Sequence, residues 1–257
     1  MDKGLTWIGI KQGFDEAGCP ICNTVSIGTR RNFSFLLDEY VLDPGLRQRL
    51  IESAGWCVRH TRLLRTVESS EWPDHMGSAT IFESLVAAAK HHLDDVSRAA
   101  HRSQVSHPRR QREVARRLGS RLLPHAQCPV CADEQRAGAW HLDMFVEALF
   151  DAGLGSELQT LHQDSEGLCY LHLIGCIQRC AGPEQVTHLL ALERPKWEEL
   201  EAELEEYLRK HEAVHREEPL GEALDAWARA ARKLAGAQVP GLALERLVEV
   251  AKKREKR

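Results

Sequence analysis

The constraint that dominates this sequence is a set of four metal-type ligands written twice in the same order. The first copy reads Cys19-Pro20-Ile21-Cys22, a helical stretch, then Ser53-Ala54-Gly55-Trp56-Cys57-Val58-Arg59-His60. The second reads Cys128-Pro129-Val130-Cys131, a helical stretch, then Ser165-Glu166-Gly167-Leu168-Cys169-Tyr170-Leu171-His172. The inner ligands are separated by 34 residues in one copy and 37 in the other, room for one long and one short helix to go out and return. Six of the eight cysteines fall inside the two patterns.

Each copy offers three thiols and one imidazole. Zinc prefers four tetrahedral ligands of this softness, and Cys3His is one of its structural sets. The Cys-x-x-Cys turn aims two thiolates at one ion, and its proline stiffens the turn. In Cys-x-x-His the i, i+3 spacing puts both ligands on one face of a first helical turn. Gly55 and Gly167 precede the third cysteine by two residues, where a close backbone approach is expected. Disulfides would strand one thiol per copy. A thioredoxin-like redox pair would need a βαβ neighbourhood and would leave His60 and His172 without a role. The expected ligands are therefore Cys19, Cys22, Cys57, His60, Cys128, Cys131, Cys169 and His172. They would hold two zinc ions per chain, with iron–sulfur the alternative. The simplest grouping is local, with Cys19, Cys22, Cys57 and His60 together and the second copy likewise; the alternative is an exchange of halves between the copies. Four protein ligands leave zinc no open position, so the ions read as structural. Cys176 and Cys180, four and eight residues past His172, read as packing residues on the same helix face.

The periodicity is helical nearly throughout, and strand signals are almost absent, so the fold class expected is all-α. Residues 24–42, 78–103, 132–151 and 184–215 carry apolar stripes at helical spacing, with shorter amphipathic stretches at 220–235 and 241–254. Asp43 is placed to cap a short helix opening at Pro44. Pro195 is expected to start a separate helix or kink a longer one. The repeat divides the chain into two related zinc-stapled modules, 1–106 and 107–182, and a C-terminal helical segment, 183–257.

Composition narrows function mostly by exclusion. Of 257 residues 43% are hydrophobic and the net charge is −4, a balance that rules out wholesale disorder and makes no overall case for nucleic acid. No apolar run reaches the roughly 18 residues of a membrane span. The first residues include acids and no apolar core of a secretory signal, so the expected compartment is cytoplasmic. Nucleotide loops, G-x-S-x-G and H-E-x-x-H are missing, so the expectation leans away from an enzyme. One local exception is 98–121, with eight arginines against the single acid Glu113. It could meet phosphates, although no aromatic residue interleaves with it. A solvated basic helix facing the acidic stretch 193–218 is the simpler account. The tail 252–257 reads as a solvated end.

Two Cys-x-x-Cys modules, each followed by a helix and Gly-aromatic-Cys-x-x-His, resemble a bacterial domain-of-unknown-function family, catalogue number sixty-sixty-two. The stretch 208–234, with His215-Arg216-Glu217-Glu218-Pro219-Leu220-Gly221 and Trp227, is similar to that family's closing segment, so the resemblance spans about residues 10–236. Leu168 departs from the aromatic expected before the third cysteine, and the basic insert 98–121 departs from the usual linker. The resemblance implies the architecture and no activity. The functional expectation is a helical scaffold or adaptor with a protein partner. The alternatives are a thiol redox or metal-responsive switch, and nucleic-acid binding through 98–121.

Overall fold

Cysteine–proline pairs open two of the longest helices, because proline at the first helical position has the required φ and no amide to leave unpaired. In the computed structural model, residues 3–103, 107–215, 218–219 and 221–236 are described, and they form eleven α-helices and one short 3-10 helix with no strand. The all-α expectation holds for these residues. The expected helix 241–254 and the basic tail lie outside them.

The helices run α1 (Lys3–Phe14), α2 (Pro20–Glu39), α3 (Pro44–Glu52), α4 (Val58–Glu71), α5 (Met76–Arg102) and α6 (Pro108–Ser120). They continue as α7 (Pro129–Leu149), α8 (Gly155–Gln163), α9 (Tyr170–Ile177), α10 (Pro183–Lys210) and α11 (Ala226–Ala235). Asp43 caps α3 as its sequence requires, accepting from the Leu46 amide at 2.6 Å with Pro44 in the first turn. Pro195 lies inside α10, which remains one assigned helix of 28 residues.

The chain divides into two compact units, one of residues 1–27 with 134–257 and one of residues 28–133. These units cut across the sequence modules 1–106 and 107–182. The first unit has a core of Ile10, Ile21, Leu142, Phe145, Leu149, Leu158, Leu168 and Leu189. Cys176 is fully buried in this core and Cys180 packs against it. The second unit is built on Phe33, Leu37, Leu50, Trp56, Leu64, Val67 and Ile81. There Trp56 stands edge-on to both Phe33 and Phe82.

The helix lengths govern where the ligands go. At 1.5 Å per residue the 20 residues of α2 carry the chain about 30 Å from Cys19, and the nine residues of α3 return only about 13 Å. The same arithmetic applies to α7, with 21 residues, and α8, with nine. Each Cys-x-x-His therefore stops partway along its own long helix. The His60 ring lies 6.3 Å from that of Phe33, and the His162 ring, at the end of α8, lies 6.3 Å from that of Phe145.

Candidate metal centres

All eight sequence-predicted ligands gather into two groups of four, and the grouping is exchanged between the copies. Cys19, Cys22, Cys169 and His172 form site A in the first unit, and Cys57, His60, Cys128 and Cys131 form site B in the second. The local grouping of Cys19 and Cys22 with Cys57 and His60 is thus overturned. The reason is the unequal out-and-back lengths, helices of 20 and 21 residues against returns of nine.

In each group the four ligand atoms lie within 4.8 Å of one another. At site A the His172 Nδ1 lies 3.3 Å from Cys19 Sγ, 3.3 Å from Cys22 Sγ and 3.2 Å from Cys169 Sγ, and the Cys22 and Cys169 sulfurs are 3.9 Å apart. At site B the His60 Nδ1 lies 3.3 Å from Cys57 Sγ, 3.3 Å from Cys128 Sγ and 3.4 Å from Cys131 Sγ, and the Cys57 and Cys131 sulfurs are 3.6 Å apart. A tetrahedron with Zn–S near 2.3 Å and Zn–N near 2.0–2.1 Å has edges of about 3.8 Å between sulfurs and about 3.5 Å from sulfur to nitrogen. The observed edges match that figure. They are far longer than the ~2.05 Å of a disulfide, and all eight cysteines are free thiols.

The backbone explains why these thiols meet. Cys57 and Cys169 are the residues preceding α4 and α9, both in extended conformation, and Cys19 and Cys128 directly precede α2 and α7. Two helix N-termini converge on each site, where exposed amides and the helix dipole favour thiolate charge. The Cys-x-x-Cys segments are thus first helical turns, whereas the sequence suggested tight turns. Asn23 pins the chain before site A by donating to the carbonyl oxygens of Gly13 and Glu16, each at 2.9 Å. The amides of His125 and Ala126 bond to the Glu52 carbonyl at 2.8 and 3.1 Å, drawing the approach to Cys128 beside the turn that leads to Cys57.

The Ser and Gly that recur before the third cysteine also have work to do. Ser53 Oγ donates to the Gly55 carbonyl, and Ser165 Oγ accepts from the Gly167 amide. Gly55 and Gly167 both take positive φ, +91° and +73°. At Gly167 the approach is also close, since a Cβ there would sit 2.6 Å from Lys196 Cδ and 2.9 Å from the Glu193 carboxylate.

Electrostatics within the clusters follow from crowding several thiols together. Hydrogen bonds from Cys19 and Cys22 bring the Cys169 thiol down to about 4, and the reciprocal bond from Cys169 pushes Cys22 strongly up. At site B burial is the largest single influence on Cys128 and opposes its ionisation, but the hydrogen bond from His60 and the backbone hydrogen bonds of Cys57 and Cys131 together outweigh it and the thiol falls to about 6. Burial and the Cys128 charge raise Cys131 to about 12. Cys176 is pushed up by complete burial, which suits a packing residue.

Sequence reading missed the support behind site A. Glu193 is buried, accepts from the Leu168 amide at 2.6 Å, and pairs with His162 at 2.7 Å and Lys233 at 3.1 Å. Burial alone would raise its carboxyl; the bond from His162 and the charge of Lys233 instead hold it below the ordinary carboxylate range. Lys233 also donates to the Glu166 carbonyl at 2.5 Å, so α10 and α11 jointly hold the loop that delivers Cys169. Glu193 stands at the head of an acidic stretch and has the composition of a solvated face, which concealed it. Gly236 was also missed. It follows α11 with φ +73°, and a side chain there would begin 3.3 Å from Cys169 Sγ and 3.5 Å from Cys22 Sγ.

Elsewhere the acidic stretch pairs within the C-terminal segment. Glu203 of α10 meets Arg229 of α11, while Glu206 meets Arg209 and Lys210, and Glu218 meets Arg209 and His215. For these residues the partners lie within 203–229, where the sequence suggested the arginines of 98–121. Among the described residues no helix is long and apolar enough to cross a membrane.

No curated protein and no solved structure matches the chain. A family model does match, over residues 1–240, and it carries the description "Family of unknown function (DUF6062)". The paired ligand sets resembled that family from the sequence, and with the match covering nearly the whole chain the protein belongs to DUF6062.

Proposed function

We propose that each cluster holds one zinc ion, two per chain, and that the protein is a metal-stapled helical scaffold whose faces serve a protein partner in the cytoplasm. The observation that carries this reading is the donor set. Three thiols and one Nδ1 at tetrahedral edge lengths fill all four positions that a structural zinc uses. Sulfur separations of 3.6 and 3.9 Å support a single ion over an iron–sulfur cluster, whose several irons spread their thiolates further. The chemistry supplied is structural: each ion would tie two helix N-termini that lie far apart in sequence. Eight free thiols suit a reducing compartment.

The test is metal analysis of protein purified without added metal. Two zinc ions per chain are expected, together with loss of the cooperative melt when a strong chelator removes them. A metal-free protein with full helical signal and an unchanged melt would overturn the reading.

The partial exposure of Cys57 and Cys131 favours a second reading for site B alone, a thiol-based metal-release switch. It predicts that mild peroxide releases one zinc per chain and leaves the other. Retention of both ions under peroxide would dismiss it.

A further inference from the structure

The strongest charged surface in the second unit lies outside the metal centre. Helix α6 buries none of its residues, and it packs along α5 with Val114 and Leu118 half-buried at 140° and 180° around its axis from Arg109. Arg109, Arg112 and Arg116 step by three and four along the opposite face, with Arg110 and Arg117 flanking them seven residues apart. Arg117 pairs with Glu113 in its own helix at 2.5 Å, and Arg98 pairs with Asp95 on α5. The guanidinium groups of Arg102, Arg109, Arg110, Arg112, Arg116 and Arg121 have no acidic partner among the described residues, and all six are exposed. Beside them an open groove of about 660 Å³ is lined by His92, Arg98, Arg102 and Arg121 together with one acid, Asp95, which Arg98 neutralises.

We infer that this α5–α6 surface docks the phosphate backbone of a nucleic-acid duplex. Every cation on α6 is arginine, whose planar fork binds phosphate oxygens in pairs, while a merely solubilising face has no need of that geometry. The arginines of 98–121 are the densest run of one sign in a chain whose net charge is −4, so binding would be local. A single strand is disfavoured because no aromatic side chain lies within 98–121 for bases to stack on. An anionic membrane is disfavoured because the apolar side of α6 is turned to α5, and the exposed Leu122 and Leu123 follow the helix and are not part of its arginine face. The open groove does not enclose a small phosphorylated molecule. With no base-reading groups identified, the docking is independent of sequence.

The test is fluorescence anisotropy of the full chain with a labelled mixed-sequence DNA duplex and its RNA counterpart, at several salt concentrations. Binding to at least one duplex is expected, and four to six phosphate contacts would give log affinity a slope of about −4 to −5 against log salt. The exposed triple variant R109Q/R112Q/R116Q should flatten that slope by about 3. Its melting temperature should match that of the parent, since none of the three side chains packs. The variant R30Q/R62Q/R65Q removes the same charge from other exposed positions and should leave binding unchanged. Three results would each overturn the inference: no duplex binding at low salt, equal weakening by both variants, or tighter binding to phosphatidylserine vesicles or to a labelled single strand.

Discussion

Sites A and B carry the same four donors at nearly the same separations, yet one is sealed and the other open. At site A all three cysteines and His172 are buried. At site B only His60 and Cys128 are, and Cys57 and Cys131 reach solvent. Donor chemistry is therefore not what separates them. The difference lies in what the rest of each unit brings up behind the ligands. The first unit supplies α10, α11, the Glu193 carboxylate and the backbone of Gly236. The second backs its site with Trp56, Phe33 and the turn at Glu52, which cover the imidazole more than the thiols. One motif thus yields a protected staple in one setting and an approachable thiolate cluster in the other.

The largest effect that sharpens this contrast is loss of a ligand. Structural zinc contributes an apparent ~10–16 kcal/mol in small zinc-dependent domains, against a total stability of about 5–15 kcal/mol for a typical domain. Cys22→Ser should therefore remove one zinc and the cooperative melt of the first unit. Cys131→Ser should remove one zinc and melt the second unit. Metal content and circular dichroism read both, and a variant that loses its ion while keeping a full cooperative melt would break the staple account.

Next comes the buried carboxylate behind site A. Glu193→Gln would leave Lys233, 5% exposed, without its counter-charge, a change expected to cost about 3–5 kcal/mol. Because the folded carboxyl titrates below its unfolded value, its contribution is complete above the unfolded range. It is lost as pH falls through the folded value. The parent should therefore lose stability on acidification in a thermal-melt series, and E193Q should show a flatter dependence over that window. Parallel curves for the two proteins would count against Glu193 as the titrating group.

Exposure should then appear in the rates. Alkylation followed by peptide mass mapping should label Cys57 and Cys131 at least about tenfold faster than Cys19, Cys22 and Cys169, since thiolate reactivity requires access. Equal rates at both sites would erase the distinction drawn from burial. The smallest effect belongs to the cover itself. Gly236→Ala places a methyl against two site A sulfurs at a positive φ, at a cost of about 1–2 kcal/mol. Metal release from site A should quicken while release from site B stays unchanged; acceleration at both sites would show that Gly236 is not a local cover.

Much of this was legible in the residues. Pro44 behind Asp43 specified the start of α3, and the apolar stripes located α2, α5, α7 and α10 to within a few residues. The repeated Cys-x-x-Cys and Cys-x-x-His identified every member of both clusters, because ligand type and i, i+3 spacing are local properties. Glu193 and Pro195 were harder. A lone acid in an acidic run and a proline in a helical run both look like surface or boundary features until packing shows otherwise. Glu193 is held by His162, 31 residues away, and Lys233, 40 residues away, and no local pattern records such a meeting.

The sequence alone determined an all-helical chain with two sets of Cys3His donors and membership of DUF6062. Which four donors share a site was decided only in three dimensions. A helix of 20 residues outruns a return of nine, so a Cys-x-x-Cys cannot close on the Cys-x-x-His that follows it and closes on the other copy's instead. The same long-range packing decided which cluster is sealed, since the residues that cover a thiol need only be near it in space.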